Sequence, residues 1–241
     1  MKTAILVDGG FYRRMAQKVK GAVTAKERAD ELENYCKRHL KNKYKQYDDL
    51  YRIFYYDCMP TGDNIYHPYF HKQINYSKTD LYKWMTVFID ELKKKRKFAL
   101  RLGRLAPKHD KVWFTVKPTT FKNLCNNKQQ FDALNEDDFT LAIEQKGVDI
   151  KIGVDIASLA YKKQVDRIVL ISGDSDFVPA AKLARREGID FILDPLYNHI
   201  PADLSEHIDG LRTCDNAYNP KPPTQTDSAE AAPVITQAPS E

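Results

Sequence analysis

The chain has 241 residues, 42% hydrophobic and 29% charged, which is enough apolar content for a folded α/β domain and too much for a disordered chain. Lys and Arg number 38 against 33 Asp and Glu, a formal net charge of +5. No apolar run approaches the roughly 18 residues of a membrane span, and MKTAILVDGG meets Asp8 too early for a secretory signal, so neither a membrane partner nor export is expected. Cys36, Cys58, Cys125 and Cys214 are too scattered for a disulfide scaffold or a zinc ribbon, and a cytoplasmic protein with reduced thiols is the expectation.

The charge is uneven. From Asp215 onward there are four acids, one base and five of the twelve prolines, so the rest of the chain carries +8. Such a segment buries too little apolar surface to offset its ordering entropy and is expected to be a flexible tail. A basic body favours a polyanionic partner.

Taken in chain order, Thr3 to Val7 (TAILV) is a short β-forming run that stops at Asp8-Gly9-Gly10, the pattern of a strand buried on both faces of a parallel sheet. A helix is predicted from Thr24, with Glu27 completing a capping box, and a second strand over Leu50 to Asp57. From Ser77 to Lys97, Leu81, Trp84, Met85, Phe88, Ile89 and Leu92 form an apolar stripe at helical spacing. The run Lys93, Lys94, Lys95 and Arg96 at its end is either a solvated helix terminus or a phosphate-contacting patch, extended by Arg101, Arg104, Lys108 and Lys111. One or two strands are expected within Ala99 to Val116, while Phe121 to Asp138 has no clear pattern. After Lys146-Gly147 comes a helix entered near Asp149. The strand Arg167 to Ile171 (RIVLI) follows, then the turn Ser172-Gly173-Asp174-Ser175-Asp176, a helix stopped by Gly188, and the strand Ile189 to Leu193. This alternation predicts a mostly parallel α/β sheet.

In such a sheet the residues after each strand lie at its carboxyl edge, where ligands bind. Asp8, Asp174 and Asp176 all fall there, with Asp149 and Asp155 on the preceding helix. Carboxylates gathered on one edge repel one another unless a cation stands between them, and an all-oxygen shell suits Mg²⁺ or Mn²⁺ better than zinc. Each acid also has a plainer role. Asp8 suits a turn, while Asp149, Asp174 and Asp176 suit helix caps. Asp155 lies inside a helix, where it has no cap to make, and facing the acidic cluster would explain it. Six residues separate Asp149 from Asp155, so the two share one site only if Asp149 sits at the start of its helix. With a basic body, the pattern points to metal-assisted phosphodiester hydrolysis.

AILVDGGFYRR, KGVDIKIGVDIASLA, RIVLISGDSDFVPAAKLARREGIDFIL and the closing DLSEHIDGLRT together resemble the NYN domain of the PIN-like nuclease superfamily, most closely its LabA-like branch. The resemblance covers roughly positions 3 to 212 and is only general over about 60 to 140. It implies one domain over 1–214, followed by a Pro-rich tail over 215–241. The implied fold is a Rossmann-like three-layer sandwich with a mostly parallel central sheet. It also implies a metal-dependent ribonuclease, an endoribonuclease by expectation, with Mg²⁺ or Mn²⁺ in an acidic pocket and RNA, single-stranded or structured, as substrate. Asp8, Asp155, Asp174 and Asp176 would be catalytic, Asp149 would join them as a metal ligand, and Ser172 would orient them. Phe11 stands where the family's DGxN motif often has Asn. Arg13 and Arg14 follow the Asp8 turn and are the expected phosphate contacts, with Lys93, Lys94, Lys95 and Arg96 as the outlying basic patch. Whether the chain forms a homodimer is left open.

Other chemistries fit less well. A dehalogenase-type phosphatase needs an acid where Gly10 stands, a Toprim-like site needs Glu on the first strand, and DGGFYRR lacks GxGxxG spacing. His67 and His71 flank Pro68 without a third ligand nearby. The main rival is a non-catalytic module on the same fold that binds RNA or a partner protein. In that reading Tyr44, Tyr47, Tyr51, Tyr55 and Tyr56, interleaved with Lys41, Lys43, Lys45 and Arg52, would stack on bases, unless they simply pack in the core.

Overall fold

The computed structural model describes residues 1–41, 46–107 and 113–219. Strand β1 (Lys2–Asp8) is buried from Thr3 to Val7, as its unbroken apolar run requires. Helix α1 (Gly9–Lys20) starts at once, capped by the Asp8 carboxylate, which accepts from Phe11 N. Helix α2 (Ala25–His39) opens on the predicted capping box between Thr24 and Glu27. Next come β2 (Asp49–Asp57), a hairpin of β3 (Asn64–His67) and β4 (Lys72–Asn75), and α3 (Asp80–Lys94). The predicted start of α3 at Ser77 moves to Asp80 because Thr79 provides the cap, accepting from Tyr82 N.

The chain continues through β5 (Phe98–Leu102), β6 (Arg104–Pro107), β7 (Phe114–Val116), α4 (Pro118–Cys125), β8 (Phe139–Leu141) and β9 (Ile143–Lys146). It ends with α5 (Val148–Tyr161), β10 (Arg167–Ile171), α6 (Val178–Arg186), β11 (Asp190–Asp194), α7 (Ala202–Ser205) and β12 (Gly210–Leu211).

Six strands form one sheet in the order β12-β11-β10-β1-β2-β5, every neighbouring pair parallel. Alternate side chains enter two separate cores. Ala4, Leu6, Phe54, Tyr56, Ile168 and Leu170 pack under α5, α6 and α7. Ile5, Val7, Ile53, Tyr55, Val169 and Ile171 pack under α1, α2 and α3. Each such fully buried aliphatic or aromatic side chain contributes about 1.5–3 kcal/mol of transfer free energy. The result is a three-layer α/β/α sandwich, as the sequence predicts.

The chain starts in the middle of the sheet at β1 and builds outward, first through β2 and β5, then from β10 through β11 and β12. The order therefore reverses between β1 and β10, which opens a crevice at their carboxyl ends. Gly9 sits at the rim of that crevice, where α1 lies against β2. A Cβ there would come 2.3 Å from the Tyr55 ring and 2.7 Å from the Tyr56 carbonyl oxygen. Gly9→Ala is expected to destabilise the protein by about 1–3 kcal/mol through overpacking, read as a lowered urea midpoint with an unchanged slope.

Tyr55 and Tyr56 are fully buried, in the packing role weighed for them, and Tyr47 is 71% exposed. Lys43, Tyr44, Lys45, Lys108, Lys111 and the chain from 220 onward lie outside the described residues. The folded body extends past the predicted boundary at 214. Asp215 pairs with Lys20 at 2.7 Å, and Tyr218 is buried against Tyr35.

The basic run that closes α3 sits just before β5 and so at the amino edge of the sheet, a five-residue strand from the carboxyl edge. Lys93 and Lys94 pair with Asp90 and Glu91 one turn back, and Lys95 pairs with Asp30 and Glu33. Arg96 is exposed. The four residues predicted as an outlying phosphate patch thus stand at the opposite end of the sheet from Asp8, three of them neutralised by neighbouring acids.

Candidate active site

The crevice between β1 and β10 is built from three chain turns. Asp8 ends β1 and caps α1, its Oδ1 accepting from Phe11 N at 3.0 Å. Ser172, fully buried after β10, donates to Asp8 Oδ2 at 3.3 Å and accepts from Asp174 N at 3.3 Å, tying the two turns together. Asp174 caps the short turn of 3₁₀ helix Ser175–Phe177, accepting from Asp176 N at 3.0 Å. The cap role and the edge position therefore coexist in Asp8 and Asp174. Phe11 packs against this turn, since a Cβ on Gly173 would lie 2.9 Å from its ring.

The third turn brings in Asp149. Gly147 precedes α5 at φ 82°, left-handed backbone that a side chain disfavours, and this bend places Asp149 in the first helical turn instead of at the cap. Asp149 thus stands at the helix start that sharing a site with Asp155 required, while Asp155 is held by Tyr56 and Arg101.

Electrostatics bind these acids into one group. Burial pushes the Asp8 carboxyl above its ordinary value against the bonds from Phe11 and Ser172, and the charges of Asp149 and Asp57 push the same way. Asp149 is raised by burial and then by Asp174 and Asp176. The helix N-termini at α1 and α5 direct positive dipole ends at Asp8 and Asp149, which relieves part of this repulsion.

Asp155 stands apart from that group. It accepts from Tyr56 Oη at 2.8 Å and from Arg101 Nε at 3.0 Å. Six residues along α5 turn it onto a different face, where Arg101 neutralises it. Arg13 also differs from expectation. Its guanidinium forms a two-pronged pair with the fully buried Asp57, Nε–Oδ2 2.8 Å and Nη2–Oδ1 3.0 Å. Arg14 remains exposed at the mouth of the crevice, where Nε donates to the Gly10 carbonyl oxygen at 3.2 Å.

Two residues here were missed by local patterns. Asp57, at the end of β2, also accepts from Tyr55 Oη at 2.6 Å and from Cys58 N at 2.8 Å. Read alone it closes a strand like any other turn acid, and only the fold brings Arg13 to it. Gln145 on β9 reaches the rim, its Oε1 3.9 Å from where a Cβ on Gly10 would stand. No sequence signal marks it. A groove of about 380 Å³ leads away from Asp149 and Asp176 between α5 and α6, floored by Gly153, Ala157 and Pro179.

Among the described residues, no three His, Cys, Asp or Glu side chains converge closely enough to hold one ion between them. The donor chemistry nonetheless suits a hard cation, since the donors are carboxylate oxygens whose ionisation burial and neighbouring acids oppose. Mg²⁺ is commonly bound by one or two carboxylates with water completing its shell, so a full protein cage is not required.

The sheet is parallel and doubly wound, with Asp8 and Asp174 at its switch point, where α/β folds of this kind bind ligands. The NYN domain model matches residues 61–206, more than half of the chain, and the chain belongs to the NYN domain family of PIN-like nucleases. Asp149, Asp155, Asp174 and Asp176 fall inside the matched span, and Asp8 reaches it through the β1–β10 pairing. A crystal structure of a protein of unknown function from Vibrio parahaemolyticus RIMD 2210633 is similar at 15% identity and a TM-score of 0.45, covering 90% of this chain and 94% of that one. No curated protein matches. Among the described residues no helix is long and apolar enough to cross a membrane.

Proposed function

We propose that the chain is a metal-dependent endoribonuclease of the LabA-like branch, hydrolysing RNA phosphodiester bonds in the crevice between β1 and β10. The observation that carries this reading is the meeting of the Asp8 and Asp174 turns at the switch point, tied through Ser172, with Asp149 close enough to feel the charges of Asp174 and Asp176. One or two of these carboxylates, with water completing the shell, would hold Mg²⁺ or Mn²⁺, which when bound supplies charge neutralisation at the phosphate and an activated water. Ser172 and Phe11 N fix the Asp8 carboxylate, so its two oxygens are already aimed when substrate arrives. Asp155, neutralised by Arg101, flanks the cluster. Arg14 would contact the RNA backbone, while Arg13 serves Asp57.

The test is cleavage of labelled single-stranded RNA with Mn²⁺, Mg²⁺ or EDTA. Internal fragments that depend on metal support the reading. Tight RNA binding with no cutting under any metal would move the protein to the non-catalytic module.

Metal binding has a second readout. Because burial and neighbouring acids raise the folded-state values of Asp8 and Asp149, stability is lost as pH rises from the ordinary carboxyl range through those raised values. A cation relieves this loss. Mn²⁺ at a hundredfold excess over its Kd adds about 2.7 kcal/mol, or roughly 5–10 °C in Tm for a body of this size. The gain should shrink below the raised carboxyl range, where the acids take protons instead. Thermal melts across pH with and without Mn²⁺ check this, and a metal-independent Tm at neutral pH would count against the site.

A further inference from the structure

A cavity of about 430 Å³ lies between α1, the loop into α2 and the first turns of α3, within the roughly 300–1,000 Å³ of small-ligand sites. It shares Arg14 with the mouth of the acidic crevice. Arg14 stands six residues after Asp8, about 9 Å along the helix axis. Its Nε donates to the Gly10 carbonyl oxygen in the first turn of α1. The cavity and the crevice are therefore neighbours along one helix.

The cavity has an apolar floor. Leu81, 57% exposed, lines it together with Trp84. The indole is locked, Nε1 donating to the Val23 carbonyl oxygen at 3.0 Å and the ring stacked on buried Phe88, with centroids 5.0 Å apart and 15° between the planes. A flat ligand settling beside a side chain held in this way has little of it left to order.

The charged groups of the lining are not equally free. Arg13 is taken by Asp57, and the buried Arg28 by Glu31 and the Gly21 carbonyl oxygen. Arg14 and Asp80 are exposed, and among the described residues neither forms an ion pair. One cation and one anion thus stand over an apolar floor, each able to meet a ligand of opposite character.

We propose that this cavity is a guanine-selective subsite for an unpaired nucleotide of single-stranded RNA whose neighbouring phosphate lies in the crevice. The inference rests on the nuclease reading of that crevice. The base lies along Trp84 and Leu81, its phosphate meets the Arg14 guanidinium, and Asp80 accepts from its Watson–Crick edge. Guanine suits a carboxylate best, because its N1–H and N2 amino group are adjacent donors. Adenine and cytosine place an acceptor beside their amino group, and uracil flanks N3–H with two carbonyls. A duplex has these edges already paired and cannot offer them.

The test measures binding of the full chain, in EDTA, to fluorescein-labelled hexauridylate and to the same strand carrying one internal guanosine. The guanosine strand should bind roughly five- to 150-fold tighter, the range of one bidentate base contact. Asp80→Asn should erase that difference. Trp84→Ala should weaken the guanosine strand by roughly five- to 150-fold, the range of one base–aromatic stack, with a thermal melt showing that it folds. Leu81→Glu, at an exposed position where folding is not at stake, should weaken both strands. Guanosine 5′-monophosphate alone should bind at least about tenfold more weakly than the strand, because it lacks the contacts in the crevice. Equal affinity for the two strands, or a monophosphate that binds as tightly as the strand, would overturn the proposal. Cleavage of the same strands with Mn²⁺ keeps the two readings apart. Metal-dependent cutting without guanosine-selective binding overturns the subsite alone, whereas guanosine-selective binding without cutting under any metal overturns the nuclease reading and keeps the subsite.

Discussion

Asp8→Asn is expected to lower RNA cleavage by roughly 10³-fold, about 4 kcal/mol of transition-state stabilisation, while leaving the melting temperature unchanged or higher. The two effects separate because Asp8 does two jobs. As a cap it needs only an oxygen for Phe11 N, and Asn caps a helix as well as Asp does. As a carboxylate it carries a charge that burial and its acidic neighbours make costly, and the amide removes that cost. What the amide cannot supply is the negative oxygen pair for a cation. Single-turnover cleavage beside a thermal melt distinguishes the jobs, and wild-type cleavage in a well-folded variant would place the chemistry elsewhere. The Mn²⁺-dependent gain in Tm should fall in the same variant.

The largest loss of stability is expected from Asp57→Ala, about 3–5 kcal/mol. The substitution strands the Arg13 guanidinium, the Tyr55 hydroxyl and Cys58 N, all of which now converge on a carboxylate with no solvent exposure. Removing both members of the pair should cost less than the two single changes added together, because the uncompensated charge is then gone. Chemical denaturation of Arg13→Ala, Asp57→Ala and the double variant measures the coupling. A loss under about 1 kcal/mol for Asp57→Ala would mean that the pair behaves like a surface ion pair.

The two predictions differ in how readable their residues are. Asp8 and Asp174 follow unbroken apolar runs and precede helices, so strand, turn and edge position are all written within ten residues. The same holds for the Thr24 capping box and the stripe on α3. Arg13–Asp57 spans 44 residues and joins a helix to the far end of a different strand, which no local period encodes. Asp155 shows the limit within a single helix. Its lack of a cap role was legible, but which face it turns depends on Arg101 from β5 arriving beside it. The basic run at the end of α3 is legible only in part for a related reason. Composition counts its charges, while the structure spends most of them on Asp30, Glu33, Asp90 and Glu91. The small antiparallel pairs β3–β4, β6–β9 and β7–β8 rest on three- and four-residue strands too short to carry a period of their own.

The pairing of β1 with β10 also sets a schedule. The hydroxyl that clasps Asp8 comes from a residue 164 positions later. At a synthesis rate of about 5–20 residues per second, the first strand waits roughly 8–30 seconds on the ribosome before its central neighbour exists. During that interval Asp8 can cap its own helix, but it has no Ser172, Asp174 or Asp176 opposite it. The crevice is thus among the last parts of the body to close, so whatever it binds has no assembled site until the chain is nearly complete.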